Sequence, residues 1–113
     1  MQKIEAIIQP LKLEAVRQEL DKIGVEGLSV SDIDGYGKQK GHTEMFRGQE
    51  YSVAFTKKMK LEIITIDSNV DKIVKAIIDI AKTGKMGDGK IFVSPISKAY
   101  RIRTGETDDS ALS

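Results

Sequence analysis

The chain has 113 residues, a size at which one hydrophobic core and one domain are expected. Its 18 Lys+Arg against 17 Asp+Glu leave a formal net charge of +1. That balance argues against nucleic-acid binding, which calls for a phosphate-neutralising excess of Lys and Arg. With no Cys, disulfides and thiolate zinc sites are excluded.

The opening Met1-Gln2-Lys3-Ile4-Glu5 lacks the basic-then-apolar layout of a signal peptide. No apolar run approaches the ~20 residues of a membrane span, so a soluble cytoplasmic protein is expected. Ile4, Ala6 and Ile8 alternate with Lys3, Glu5 and Ile7, predicting a strand that ends at Pro10. Leu13, Val16, Leu20 and Ile23 then recur at helical spacing, with Gly24 placed to end the helix. Leu28 and Val30 open a second strand running towards Gly35 and Gly37. A third begins near Val53 and Phe55 and continues through Leu61, Ile63, Ile64 and Ile66. Asp67 or Ser68 is placed to cap a helix whose apolar face is Val70, Ile73, Val74, Ile77 and Ile78, and which Gly84 stops. A strand from Lys90 to Val93 follows, and a short one through Tyr100 and Ile102 is expected to close the chain. The tail, 107–113, is polar and expected to be loose.

The order β-α-β-β-α-β predicts an α+β, ferredoxin-like fold, an antiparallel sheet with both helices on one face. That fold hosts many unrelated activities and says little about function. Between Gly37 and Tyr51 no apolar periodicity is sustained, and glycines punctuate both ends. Unstructured stretches longer than ~12–15 residues are usually functional or disordered. Met45, Phe46 and Tyr51 among charges and glycines favour an adaptable partner-binding segment over a plain hairpin tip.

The stretch Gly84-Lys85-Met86-Gly87-Asp88-Gly89-Lys90 spells G-x-x-x-x-G-K. It is not a P-loop: Ile91 replaces the Ser or Thr that would meet magnesium, and the loop runs from helix to strand. Its three glycines and two lysines in seven residues still favour an anion cradle over an ordinary turn. Arg101 and Arg103, if on a strand, would share one face with Cα atoms roughly 7 Å apart, a spacing suited to polyphosphate or paired carboxylates. A charged edge strand is the plainer reading of that pair alone. Gly35 to Gly41 lacks dinucleotide-binding spacing. Lys60 and Glu62 read as edge-strand charges, and His42 as a solvated loop residue. No nucleophile–base–acid set is present, so catalysis has little support.

Three separated segments carry a family resemblance. Gly37-Lys38-Gln39-Lys40-Gly41-His42-Thr43-Glu44, with Arg47-Gly48 and Glu50-Tyr51, resembles the T-loop of nitrogen-regulatory PII signal-transduction proteins. Thr83-Gly84-Lys85-Met86-Gly87-Asp88-Gly89-Lys90-Ile91-Phe92 is similar to their B-loop, and Arg101-Ile102-Arg103-Thr104-Gly105-Glu106 to their C-loop. The opening Lys3 to Ile8 matches as well, so the resemblance covers Met1 to about Glu106. It implies a single PII domain over 1–113, with a T-loop at about 37–55, a B-loop at about 82–90 and a C-loop at about 101–106.

The resemblance further implies a homotrimer with ATP or ADP in the clefts between subunits. Gly87, Asp88, Gly89 and Lys90 would bind phosphates, with Arg101 and Arg103 reaching them from the neighbouring subunit. Ser29, Gly35, Glu62 and Ile64 would surround the adenosine, and Gly37 and Lys38 would complete the nucleotide site. Gln39 would coordinate magnesium with the ATP phosphates. Bound 2-oxoglutarate would complete that coordination, near Gln39, Lys40 and Gly41, with Lys58 on its distal carboxylate. Partners would be T-loop targets such as an ammonium channel or nitrogen-metabolism enzymes and regulators, with the membrane reached only indirectly and nucleic acid not at all. The setting would be cytoplasmic, or the plastid stroma in an alga. Tyr51 matches a tyrosine that some relatives nucleotidylylate.

Gln9 and Lys38 stand where many relatives carry a basic residue and an Arg, which predicts weaker 2-oxoglutarate and phosphate contacts. Gln49 removes the serine that cyanobacterial relatives phosphorylate. A PII-like trimer sensing a different effector, such as a cyclic nucleotide or bicarbonate, is the competing implication. Gln39, Lys58 and the full B-loop weigh against it. An RNA-binding module would need stacking aromatics on central strands, and a phosphotransferase would need a nucleophile; neither is present as a motif.

Overall fold

The computed structural model describes residues 1–36, 43–46, 49–52 and 55–112. Strand β1 (Gln2–Ile8) leads through a 3-10 turn, Pro10–Lys12, into helix α1 (Leu13–Lys22). Strand β2 (Ser29–Gly35) is followed by the short strands β3 (Thr43–Phe46) and β4 (Gln49–Ser52), then by the long β5 (Thr56–Thr65). A second 3-10 turn, Asp67–Asn69, enters α2 (Val70–Ala81). Strand β6 (Gly89–Pro95) and a last helical turn, α3 (Asp109–Leu112), complete the described chain.

Four strands form one antiparallel sheet in the order β2-β5-β1-β6. β1 and β5 are central, with Ala6 opposite Leu61 and Ile4 opposite Ile63. Period-two alternation sends Ile4, Ala6 and Ile8 to one face with Leu61 and Ile63. There they meet Val16 and Leu20 of α1 and Ile73, Ile77 and Ala81 of α2 in one buried cluster. Burial of each large member stabilises by about 1.5–3 kcal/mol. The two helices pack against each other on that same face, which is the expected ferredoxin-like α+β arrangement. The opposite face, carrying Lys3, Glu5, Ile7, Lys60, Glu62 and a half-exposed Phe92, bears no helix among the described residues.

Several local expectations change. Neither Asp67 nor Ser68 caps α2 through its side chain. Asn69 is the N-cap, and the 3-10 turn supplies backbone bonds instead, with Asn69 N–H on Ile66 O at 3.1 Å. Asp67 turns to the chain's amino terminus, with Oδ1 2.9 Å from the Met1 nitrogen. The α2 helix stops at Ala81, where Lys82 is already extended, before Gly84 is reached. Lys60 and Glu62 lie on a central strand, not an edge. The third strand starts at Thr56; Val53 lies outside the described residues. Within the stretch that lacked periodicity, β3 and β4 form a two-stranded antiparallel ladder.

No strand runs through Tyr100 and Ile102. Tyr100 forms an isolated bridge to Thr107 that closes a tight loop, with Arg101 N–H on Glu106 O at 2.8 Å and Gly105 N–H on Arg101 O at 2.7 Å. The backbone bonds fold this segment on itself, so Arg101 and Arg103 do not share a strand face. The tail expected to be loose carries α3 instead, with Ala111 and Leu112 partly buried and α3 against β5.

Candidate functional site

The loop between α2 and β6 is built on glycines at positive φ: Gly84 at +84°, Gly87 at +98° and Gly89 at +106°. Gly89 also lies so close to β1 that a Cβ would sit 1.7 Å from the Ile7 carbonyl oxygen. Glycine alone satisfies both conditions. The loop therefore lies directly on the end of β1, beside the ends of β2 and β5.

A cleft of about 810 Å³ opens at this junction. Its lining includes Gly35, Lys58, Gly87, Asp88, Gly89 and Lys90, six residues drawn from three separate parts of the chain. Lys58 is buried, at 8% exposure, and its Nζ donates to the Gly87 carbonyl at 2.5 Å. Gln9 Nε2 donates to the same carbonyl at 3.2 Å, tying the end of β1 to the loop. A Cβ on Gly35 would meet Lys58 Cγ at 3.2 Å, so the glycine gives the lysine stem its path. Thr56 Oγ1, also at the cleft, is buried without a hydrogen-bond partner among the described residues.

The electrostatics favour an anion. Lys58, Lys85 and Lys90 line the cleft. Two carboxylates also line it, but both are engaged. Asp34 pairs with Lys57 at 2.8 Å. Asp88 accepts from the Thr83 hydroxyl at 2.5 Å, the Thr83 N–H at 2.8 Å and the Gly84 N–H at 2.9 Å. Those donors, the Thr83 hydroxyl first, hold the Asp88 carboxyl below its usual range.

The other expected site residues lie elsewhere. Ser29 faces Glu62 across the β2–β5 register. Beyond Glu62, β5 has no β2 partner, and Ile64 borders a second groove of about 400 Å³ beside Gly24–Gly27. Arg101 is bound within its own segment: its guanidinium meets Glu106 Oε1 at 3.1 Å and donates to the Ser110 carbonyl at 3.3 Å. Arg103 is exposed, and neither arginine lines the two grooves. Gly37, Lys38, Gln39, Lys40 and Gly41 lie outside the described residues, while Tyr51 occupies a β4 position opposite Glu44. One chain thus gathers Gly35, Lys58 and the loop 87–90, and leaves Ser29, Glu62, Ile64, Arg101 and Arg103 apart.

The resemblance singled out position 9 and the segment from Thr83, but the Gln9 bond to Gly87 and the Thr83 bonds to Asp88 were not legible in the sequence. Pro10 marked only the end of the first strand, and no local signal pointed Gln9 at a loop so distant in the chain. Thr83 and Asp88 bracket Gly84 and Gly87, a spacing that permits a side-chain staple without requiring one.

No described helix is long and apolar enough to cross a membrane. The family model described as Nitrogen regulatory protein P-II matches residues 1–106. The Haemophilus influenzae protein named Nitrogen regulatory protein P-II is 52% identical over 112 residues, covering 99% of this chain and all of the relative. Nitrogen regulatory protein P-II of Klebsiella oxytoca and Nitrogen regulatory protein P-II 1 of Escherichia coli K12 are each 53% identical over the same coverage. With the ferredoxin-like sheet, the glycine loop against β1 and a match spanning nearly its whole length, the chain belongs to the nitrogen regulatory protein P-II family.

Proposed function

We propose that this nitrogen-regulatory signal-transduction protein binds ATP or ADP at the cleft of Gly87–Lys90 and, with magnesium-ATP, 2-oxoglutarate beside Lys58. The observation that carries the reading is the placement of a buried lysine in the same cleft as a loop of left-handed glycines. Backbone N–H groups in such loops suit phosphate oxygens, and Lys90 adds charge. The Lys58 ammonium, now on the Gly87 carbonyl, would exchange that partner for a carboxylate. Magnesium suits an oxygen donor set. As the resemblance implies, Gln39 would hold it together with phosphate oxygens. Bound there, it would neutralise phosphate charge and fix the geometry of both ligands.

Ser29, Glu62, Ile64, Arg101 and Arg103 fit the same nucleotide if it lies between subunits of a homotrimer. Their separation from the cleft within one chain supports that arrangement. Gly37, Lys38, Lys40 and Gly41 would join from the root of the T-loop, 37–55. Signalling would follow as a population shift: ATP with 2-oxoglutarate favours one T-loop state and ADP another, and ~1.4 kcal/mol of differential binding changes the ratio tenfold. Targets, such as an ammonium channel or nitrogen-metabolism enzymes in the cytoplasm, would read that state. The protein acts as a regulator, not a catalyst, and Tyr51 is a candidate for nucleotidylylation.

Isothermal titration of both ligands in both orders tests this. 2-Oxoglutarate should bind only with magnesium-ATP, and each ligand should tighten the other by the same factor, as linkage requires. Gln39→Ala should leave ATP affinity nearly intact and bring both factors towards one. Full coupling in that variant would remove the magnesium bridge. Binding of a cyclic nucleotide or bicarbonate in place of 2-oxoglutarate would favour a different effector.

A further inference from the structure

We infer that the Asp88 side chain is the positioning residue of the phosphate-binding loop, acting on the loop's own backbone and not on the ligand. The inference rests on the reading that Gly87–Lys90 takes phosphates. A carboxylate beside a triphosphate is, by charge alone, unfavourable: like charges repel, and removing one should tighten binding. The geometry points the other way. Both Asp88 oxygens are engaged inside the loop, Oδ1 by the Thr83 hydroxyl and Oδ2 by the N–H groups of Thr83 and Gly84. The Thr83 hydroxyl in turn accepts from the Lys85 N–H at 3.2 Å.

These bonds close the turn across Thr83–Asp88, just before the residues that meet β1. The loop needs such a closure. It fixes three glycines, at φ +84°, +98° and +106°, and glycine loses more conformational entropy on folding than any other residue. At Gly84 no neighbour limits the room: a Cβ there would meet nothing within 4 Å. Around Gly84 the backbone is held by the side-chain bonds of Asp88 and Thr83. Gly89, by contrast, is held by its approach to Ile7. Asp88 thus connects a half fixed by β1 to a half fixed by hydrogen bonds, and orients the Gly87–Lys90 backbone between them.

The test compares Asp88→Ala, Asp88→Asn and Thr83→Val in the full chain, with two readouts. The first is magnesium-ATP affinity by calorimetry. The positioning role expects about a ten-fold or greater loss in Asp88→Ala, the size of one lost charged hydrogen bond, and a smaller loss in Thr83→Val. Asp88→Asn keeps an oxygen for the two N–H groups and an amide that can donate to the Thr83 hydroxyl, so it should retain most of the affinity although it removes the same charge as Asp88→Ala. Tighter or unchanged ATP binding in Asp88→Ala, or a loss in Asp88→Asn as large as in Asp88→Ala, overturns the inference. The second readout is amide hydrogen exchange at Thr83 and Gly84 without nucleotide. Faster exchange in Asp88→Ala, with the sheet amides unchanged, supports the staple; unchanged exchange at both overturns it. If the wild type binds no ATP, the reading of the site fails, and the exchange measurement still decides whether Asp88 holds the loop.

Discussion

Gly89 is constrained twice over, by its backbone angle and by its close neighbour. Its φ of +106° disfavours any side chain, and a Cβ would stand 1.7 Å from the Ile7 carbonyl oxygen. Gly89→Ala must move backbone, either β1 or the start of β6, and should lower unfolding stability by at least about 2 kcal/mol. Urea denaturation monitored by circular dichroism measures it; a loss below about 0.5 kcal/mol would show that the contact relaxes easily. Lys58 and Gln9 are constrained differently. They meet at one carbonyl, that of Gly87, which has two lone pairs and can accept both. In the proposed exchange of Lys58 to a carboxylate, Gln9 would remain to satisfy that oxygen, lowering the cost.

At the scale of elements, each helix is placed by its apolar stripe. Val16 and Leu20 are fully buried, as are Ile73 and Ile77 one and two turns along α2, while Ile78 on the neighbouring position is about half exposed. Leu20→Ala should therefore cost about 2–5 kcal/mol, the range for a large buried side chain cut to Ala. Ile78→Ala should cost under about 1 kcal/mol, near the value for surface positions. Chemical denaturation of both variants checks the contrast, and equal losses would mean that Ile78 is covered in the assembled protein. The same comparison of forces explains α2's start. A 3-10 turn gave the backbone its bonds, so the Asp67 carboxylate was free to meet the terminal ammonium, and that pairing lowers its pKa.

At the scale of the molecule, the proposed nucleotide site needs two chains. Lys90 lines the glycine cleft, while Arg103 stands exposed on the terminal loop and lines neither groove. Lys90→Ala and Arg103→Ala should each weaken ATP binding by about 1.5–3 kcal/mol, the usual strength of a charged hydrogen bond. Trimers mixed from the two variants should regain a fraction of intact sites, because some clefts receive Lys90 and Arg103 from unmutated positions. Mixtures that bind no better than either pure variant would place both residues in one subunit's site. Arg101 adds a condition: its guanidinium must leave Glu106 and the Ser110 carbonyl before it meets phosphate.

The hydrophobic periods by themselves determined the four main strands, the two long helices and the face on which they pack. Those follow from local alternation at 2.0 and 3.6 residues, which any core must respect. Glycine spacing marked 84–90 as a tight turn and a candidate anion cradle, because few other residues take positive φ. The resemblance of 37–51, 83–92 and 101–106 to the PII loops supplied the family. Only the tertiary structure decided what depends on residues distant in the chain. Gln9 and Lys58 converge on Gly87 because β1, β5 and the loop meet in space. Lys60 and Glu62 are central because strand order, not sequence order, puts β5 inside the sheet. Arg101 and Arg103 lost their shared strand face because backbone bonds from Arg101 to Gly105 and Glu106 closed the segment into a turn. Local patterns report which face of an element is apolar; which element stands opposite it is a long-range outcome of packing, and the cleft was assembled there.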